Sequence, residues 1–249
     1  MQTYVYQTMR NFEDTYWWYA ALRSRVIAHV SKIINDKANI HLLDAGCGTG
    51  GMIQVLKNNF PAITTAGIDY SAQALHATME RRFTSVANAS VEALPFGSEI
   101  FHLVISLDVL ETRGVDDAKA LGEFCRVLKK GGMLILNLTA FECLRGQHDD
   151  AAHVGQRYTK KTLVPLLFKA GFTIQSVTYW NALFFPLLLF WRPVSRLFAD
   201  ASAPLSDLKP LPSFANKMLT WLIMKELQLS MMVPLPFGSS IFVVAQKND

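Results

Sequence analysis

The chain has 249 residues, 51% hydrophobic and 18% charged, with a formal net charge of +4. That composition excludes a disordered chain and supplies a buried core; the charge is too small to point to nucleic acid. Cys47, Cys125 and Cys143 form no CxxC pair, which excludes a disulfide framework and a zinc site and fits reduced thiols in a cytoplasmic protein with no metal.

The opening stretch MQTYVYQTMRNFEDTYWWY lacks an apolar h-region, so no signal peptide is expected. Val26, Ile27, Val30, Ile33 and Ile34 recur at helical spacing, which predicts one helix over 12–34. Trp17, Trp18 and Tyr19 precede that stripe and fit either a lid over a ligand or ordinary helix packing. From 40 to 140 strand and helix patterns alternate. Ile40 to Asp44 is a short strand that ends at a glycine loop; Met52, Val55 and Leu56 mark a helix; TTAGID (64–69) is a second strand; Ser71 caps the next helix. FHLVISL (101–107) reads as a strand covered on both faces, and His102 within it as a satisfied core histidine. Leu121, Phe124, Cys125 and Leu128 define a further helix, with Lys129 and Lys130 at its C-terminus and Gly131-Gly132 as its stop. MLILNL (133–138) is another strand.

Beyond residue 140 the rhythm changes. Residues 146–159 read as a polar loop, followed by a helix through Leu163, Leu166, Leu167 and Ala170. With Thr162 as its cap, Pro165 falls in the first turn. FTIQSVTYW (172–180) and SIFVVAQ (240–246) are strands, and about 60 residues rich in Leu, Phe, Met and Pro form a mostly helical insertion between them. Its greasiest run, ALFFPLLLFW (182–191), is interrupted by Pro186 and is shorter than the ~20 residues a membrane span needs. The reading divides the chain into an N-terminal helical lid (1–39), a sheet domain (40–181 and 239–249) and a hydrophobic cap (182–238). Repeated strand–helix units imply a parallel sheet with ligands at the strands' C-terminal edge, where Asp44, Asp69 and Asp108 converge.

LLDAGCGTGG (42–51) admits two ligands. Gly46-x-Gly48-x-x-Gly51 matches a dinucleotide loop, whereas Asp44-x-Gly46-x-Gly48-x-Gly50 matches a loop for S-adenosylmethionine, whose ammonium an acid suits. An acid ending the second strand, Asp69, serves ribose hydroxyls in either case. VEALPF (91–96), FHLVISLDVLE (101–111) and RVLKKGGMLILN (126–137) then follow in order. Over roughly 40–140 the chain resembles the class I S-adenosylmethionine-dependent methyltransferases of the methyltransferase type 11-like group. The resemblance implies a doubly wound Rossmann-like α/β sheet, mostly parallel with an antiparallel last strand. It implies S-adenosylmethionine as cofactor and S-adenosylhomocysteine as product. It places Asp44, Gly46, Cys47, Gly48 and Gly50 in the cofactor loop, with Cys47 acting through its backbone. Asp69 falls on the ribose, Tyr70 by the adenine, Ser90 and Val91 at the adenine position, and Leu107 and Asp108 beside the methionine part. Ser90 stands where many members have Asp. Thr112 stands where many have His, which removes a base there. An N-terminal WW (17–18) before a helix, then D…H…RY, then YWNALFFP (179–186) resemble a bacterial subgroup of uncharacterised methyltransferases, some linked to lipid- or polyprenol-bound glycan pathways; Gln156 departs from the Arg expected there.

Methyl transfer is an in-line displacement for which positioning supplies much of the rate, and an oxygen or nitrogen nucleophile needs a base. The 146–158 loop offers His153, Tyr158, His148 and Asp149. Arg157 suits an anionic acceptor or a surface ion pair; the basic excess over 126–169, eight Lys and Arg against three acids, suits an anionic surface or a solvated face. The acceptor expected is a small molecule or a lipid-linked one. The insertion serves as a substrate cap or a homodimer contact, or makes a peripheral membrane contact through 182–197 with Phe184, Phe185, Leu187–Leu189 and Trp191 inserted and Arg192 and Arg196 at headgroup level. A nicotinamide-dependent (NAD(P)) oxidoreductase and a non-catalytic S-adenosylmethionine-binding module are the alternatives.

Overall fold

The computed structural model describes residues 3–34, 39–197 and 210–248. The strands are β1 (His41–Ala45), β2 (Thr64–Asp69), β3 (Val86–Asn88), β4 (Phe101–Leu107), β5 (Leu128–Thr139), β6 (Phe172–Trp180) and β7 (Ser240–Lys247). The helices are α1 (Thr3–Phe12), α2 (Trp17–Ile34), α3 (Gly51–Asn59), α4 (Ala72–Glu80), α5 (Asp117–Val127), α6 (Gln147–Ala151), α7 (Lys160–Lys169), α8 (Phe185–Leu197) and α9 (Ser213–Met232).

The strands form one sheet in the order β3-β2-β1-β4-β5-β7-β6. The first five pair in parallel, and β7 is antiparallel to both its neighbours. The expected fold class is therefore the observed one. Successive β1 residues feed opposite faces, as pleating requires: Leu43 packs in the core under α5 and α7 with Leu121, Phe124, Leu163 and Leu167, and Leu42 in the core under α2 and α9 with Val26, Val30, Trp180 and Ile223. Each fully buried Leu contributes roughly 1.5–3 kcal/mol, which is why the strand centres Leu103–Ile105 and Leu134–Leu136 are apolar.

Four local expectations are corrected. Residues 12–34 are not one helix: the chain turns at 13–16 between α1 and α2. Asn216 of α9 holds the break, accepting from Trp17 N at 2.9 Å and donating to Thr15 O at 2.9 Å. Gly131-Gly132 does not stop a helix. α5 ends at Val127 because Leu128 pairs with Phe101, so Lys129 and Lys130 lie in β5; Gly131 takes φ +67 in the irregularity that follows. The 146–159 loop contains α6. Thr159, not Thr162, caps α7, in a reciprocal box with the Thr162 side chain, and Pro165 is accommodated inside the helix. The Ser71 cap is as expected, accepting from Ala74 N.

The insertion is helical over α8 and α9; residues 198–209 of it lie outside the described residues. Trp17 packs on Phe184 with ring centroids 5.1 Å apart, which joins α2 to the insertion, and Trp18 stacks on Trp180 at 5.6 Å, which joins α2 to the end of β6. Phe184 and Phe185 thus face inward, Phe185 against Phe141 and Phe237. Arg192 also turns in, reaching Leu144 O and Asp149, so it does not stand at headgroup level. The Arg196 side chain lies outside the described residues. Leu187, Phe190 and Trp191 are exposed. No helix among the described residues is long and apolar enough to cross a membrane.

Candidate functional site: a glycine loop between two carboxylates

At the C-terminal end of β1 the chain turns sharply, because Gly46 N and Cys47 N both donate to Ile68 O of β2, at 2.8 Å each. Gly46 (φ +89) and Gly48 (φ +53) take a backbone that L side chains avoid. Both positions are also closely covered: a Cβ on Gly46 would lie 2.2 Å from Val109 Cγ2, and one on Gly48 2.7 Å from Met9 Cε. Gly50, in the left-handed region, precedes the first turn of α3. The Cys47 thiol is buried, and burial beside Asp44 and Asp69 pushes its pKa up; it stays a neutral thiol, which leaves the backbone as its contribution.

Asp69 ends β2 and is locked to the loop. Its Oδ2 accepts from Gly48 N at 2.9 Å and its Oδ1 from Ser71 N at 2.8 Å. Burial raises its pKa while these two donors pull it back. Asp44, 2% exposed, has an Oδ2 with no hydrogen-bond partner. Burial, then repulsion from Asp69, lifts its pKa to about 7; the two carboxylates therefore act within one space. An orphaned buried carboxylate oxygen beside a side-chain-free turn fits a cationic ligand that lies against backbone, and an additional diphosphate there would meet two anions.

The residues expected to border the adenine are less crowded. Tyr70 is 85% exposed at the rim. Ser90 is half-buried with its Oγ accepting from Glu92 N at 3.1 Å, and Val91 is buried in the core. Asn88 braces this edge by donating to Asp69 O and Tyr70 O. At the other end of the loop Leu107 is half-buried and Asp108 follows with φ +58. Asn137 Nδ2 donates to Asp108 Oδ1 at 2.8 Å, while Asn137 Oδ1 accepts from Trp180 Nε1 at 2.8 Å. Asp108 bonds to Glu111, whose Oε1 accepts from Thr139 N. Burial raises both acids, Asp108 to about 7, and their mutual repulsion adds to the rise of Glu111.

Sequence reasoning missed the residues that cover the loop. Glu13, 5% exposed, stands against Gly51, accepts from Thr49 Oγ1 at 2.6 Å and pairs with Arg81 Nη2 at 2.5 Å. Tyr6 of α1 hydrogen-bonds to Asp69 and Ser71, and burial followed by the Asp69 charge pushes its pKa up to about 12. Tyr19 lies near Glu13 and Asp108, and burial with those charges raises it further. The only signal for α1 was its sequence proximity to the WW pair. Glu111 stood in a quoted motif without a role.

Among the acceptor-side candidates, the structure separates roles. His153 is half-buried with φ +58; its Nε2 has no partner, its carbonyl accepts from Arg113 N, and burial with Arg113 lowers its pKa. It sits beside the segment that follows Asp108. The Tyr158 hydroxyl is instead tied inside the core, to Asp117 Oδ2 at 3.0 Å and Leu110 O at 3.2 Å, and burial raises it, so it is a bracing group where a base was expected. Asp149 is fully buried, accepting from Gly146 N and pairing with Arg157 at 2.7 Å and Arg192 at 3.4 Å. Arg157 therefore forms a buried pair, neither a surface one nor an acceptor contact. The His148 side chain lies outside the described residues. His102 is satisfied as expected, its Nδ1 accepting from His41 N at 3.1 Å.

Residues 43–136 match the family Methyltransf_11, a methyltransferase domain. A malonyl-[acyl-carrier protein] O-methyltransferase of Herminiimonas arsenicoxydans is 28% identical over 159 residues, 61% of this chain and 60% of that one. A ubiquinone/menaquinone biosynthesis C-methyltransferase of Campylobacter jejuni is 35% identical over 112 residues, 40% of this chain and 45% of that one. The chain thus spans about half the length of the curated relatives it matches. The fold is shared with an S-adenosylmethionine dependent methyltransferase from Mesorhizobium loti, at a TM-score of 0.58 and 15% identity over 88% of this chain and 96% of that one. The matched stretch runs from the glycine loop to the middle of β5, and with it the chain carries a class I S-adenosylmethionine-dependent methyltransferase domain.

Proposed function

We propose that the protein transfers a methyl group from S-adenosylmethionine to a small amphiphilic acceptor. The observation that carries this reading is the orphaned Asp44 carboxylate beside a loop that Asp69 holds from the other side. When bound, the cofactor supplies an electrophilic methyl on a sulfonium. Asp44 receives its ammonium end, Asp69 its ribose hydroxyls, and Ser90, Val91 and Tyr70 border its adenine. Leu107 and the Asp108–Glu111 pair border the methionine part. α1, pinned by Glu13–Arg81, excludes water from this arrangement and acts as the lid. His153, whose Nε2 has no partner and whose pKa burial lowers, is the base this reading assigns to an acceptor with an ionisable proton.

Calorimetric titration with S-adenosylhomocysteine, beside NADH, tests the cofactor; label transfer from tritiated cofactor into a cell extract tests the reaction. Binding of NADH alone sinks the reading, and homocysteine-compound binding without any label transfer leaves a binding module. The pH dependence is a sharper test. Asp44 titrates near 7 in the fold against an ordinary carboxylate value of 3.8. Its proton is therefore bound more tightly in the folded state, so this group's contribution to stability falls as pH rises between those values and is flat above. A bound ammonium favours the ionised form. S-adenosylhomocysteine affinity is expected to rise up to about tenfold per pH unit below about pH 7 and to level off above it. Asp44→Asn weakens binding and flattens that rise; an unchanged profile in the variant refutes the assignment.

The acceptor class rests on the outer stripe of α9. Phe214, Met218, Trp221 and Met232 are exposed there at helical spacing. Lys217 and Lys225 lie among them, and the exposed residues of this helix include no acid, Glu226 being buried. Aromatics interleaved with lysine suit an anionic lipid surface, where a lipid-linked acceptor is presented. The protein is expected to float with phosphatidylglycerol vesicles and not with phosphatidylcholine ones, and Phe214→Ser/Trp221→Ser to abolish flotation. Copy-on-copy association lost in the same variant, without flotation of the parent, assigns the stripe to a dimer instead.

A further inference from the structure

A cavity lies away from the glycine loop. It has a volume of about 760 Å³ and is bounded by the start of β4, the first half of β5, the middle of β6 and the end of β7, with α2 and the end of α9 over it. Since β7 runs antiparallel to β5, the β4, β5 and β7 segments lie at the N-terminal edge of the parallel strands, opposite the glycine loop. Its wall carries Arg25, His29, Lys32, His102, Lys129 and Lys130, and no Asp or Glu among the described residues lines it. Arg25, His29 and Lys32 are spaced i, i+4, i+7 and so share one side of α2.

Arg25 is the informative residue. Its side chain is 1% exposed; Nη2 donates to Ser230 Oγ at 2.7 Å, and its Nε and Nη1 have no hydrogen-bond partner. The guanidinium carbon is held 5.3 Å from the Trp180 ring centre and 5.5 Å from that of Phe242, which orients the fork. Glu226 offsets its charge at a distance, but both Glu226 oxygens are engaged, by Asn181 N and Leu183 N. A buried charge with two unmet donors is costly unless a partner arrives. The neighbouring His29 is driven down to about 4, by burial and then by Arg25 and Lys32, as expected where cations converge without an anion. Arg25 is buried whereas Lys32, Lys130 and Met232 are exposed, so the guanidinium stands at the inner end and the ammonium groups at the mouth. Met231 and Met232 line the mouth beside them.

We propose that this cavity binds a phosphate-bearing anion, a phosphomonoester or diphosphate whose organic part lies on the methionines, at a site separate from methyl transfer. Arg25 meets the phosphate through its planar fork, and Lys32, Lys129 and Lys130 draw it in. The reading does not depend on the methyltransferase assignment.

The test uses the full chain titrated with inorganic diphosphate, with hexyl phosphate, and with phosphatidylcholine vesicles with and without phosphatidic acid. Saturable binding of a soluble probe, or binding of phosphatidic acid vesicles that persists when the α9 stripe is removed by Phe214→Ser/Trp221→Ser, is expected; the first identifies a free phosphate compound and the second a lipid headgroup. Arg25→Gln and, independently, the surface double variant Lys32→Ala/Lys130→Ala should each weaken that binding at least about tenfold while leaving S-adenosylhomocysteine affinity unchanged. Lys217→Ala/Lys225→Ala, away from the cavity, should leave soluble-probe binding intact. No saturable binding of any probe, or binding indifferent to the folded double variant, overturns the proposal.

Discussion

Replacing Asp69 by Ala is expected to lower S-adenosylhomocysteine affinity about 100-fold or more. A charge-assisted hydrogen bond contributes ~1.5–3 kcal/mol, and in the proposed reading this carboxylate makes two with a ribose. The same change removes the acceptor of Gly48 N, leaving a buried loop donor unpaired and the turn less ordered before any ligand arrives. Asp69→Asn keeps one acceptor oxygen and should lose less. Because Asp69 also raises the pKa of Asp44, the Ala variant should shift the pH at which binding levels off to lower values. Calorimetry across pH reads both effects, with circular dichroism as the folding control. An affinity within about threefold of the parent would mean that this edge of the sheet is not where the ribose lies.

The largest effect on stability is expected at Asp149. Its carboxylate is fully buried between Arg157 and Arg192 and also accepts from Gly146 N. Arg157 itself is 3% exposed and donates to Ala140 O. Removing one member of a buried pair leaves an uncompensated charge, at a cost of ~3–5 kcal/mol. Asp149→Ala should therefore lower the denaturation midpoint by far more than a surface acid does, for example Asp150, whose pair with Arg113 is exposed. Urea unfolding of the two variants side by side decides it. The Asp149 cluster ties the loop after β5 to α8, so its loss should also loosen the segment that carries His153. A stability change no larger than that of Asp150→Ala would show that water or rearrangement compensates the arginines.

The part of the site legible in the sequence is the part built from neighbours in the chain. Gly46 and Gly48 announce a close backbone turn, Asp44 and Asp69 stand at predicted strand ends, and Ser71 is a local cap whose partner is three residues on. Thr159 was passed over for Thr162 because a Pro inside a helix is unfavourable; the reciprocal Thr159–Thr162 box outweighed it. Gly131-Gly132 looked like a helix stop because the pairing of Leu128 with Phe101 is a contact between distant residues, invisible to a pattern.

The strand and helix periodicities, the mostly parallel sheet and the acid–glycine–acid edge are legible in the residues alone, since each depends on short-range spacing and backbone stereochemistry. Long-range packing sets the rest: where α2 begins, through Asn216 of α9 some 200 residues away; that Glu13 and Tyr6 cover the loop; that Arg157 and Arg192 are spent on Asp149; and that Arg25, Lys32 and Lys130 share one cavity. Those are pairings of polar groups across long stretches of chain. They are selected by the penalty of leaving a buried charge or hydrogen-bond donor unmet, which has no value until the rest of the molecule has closed around it.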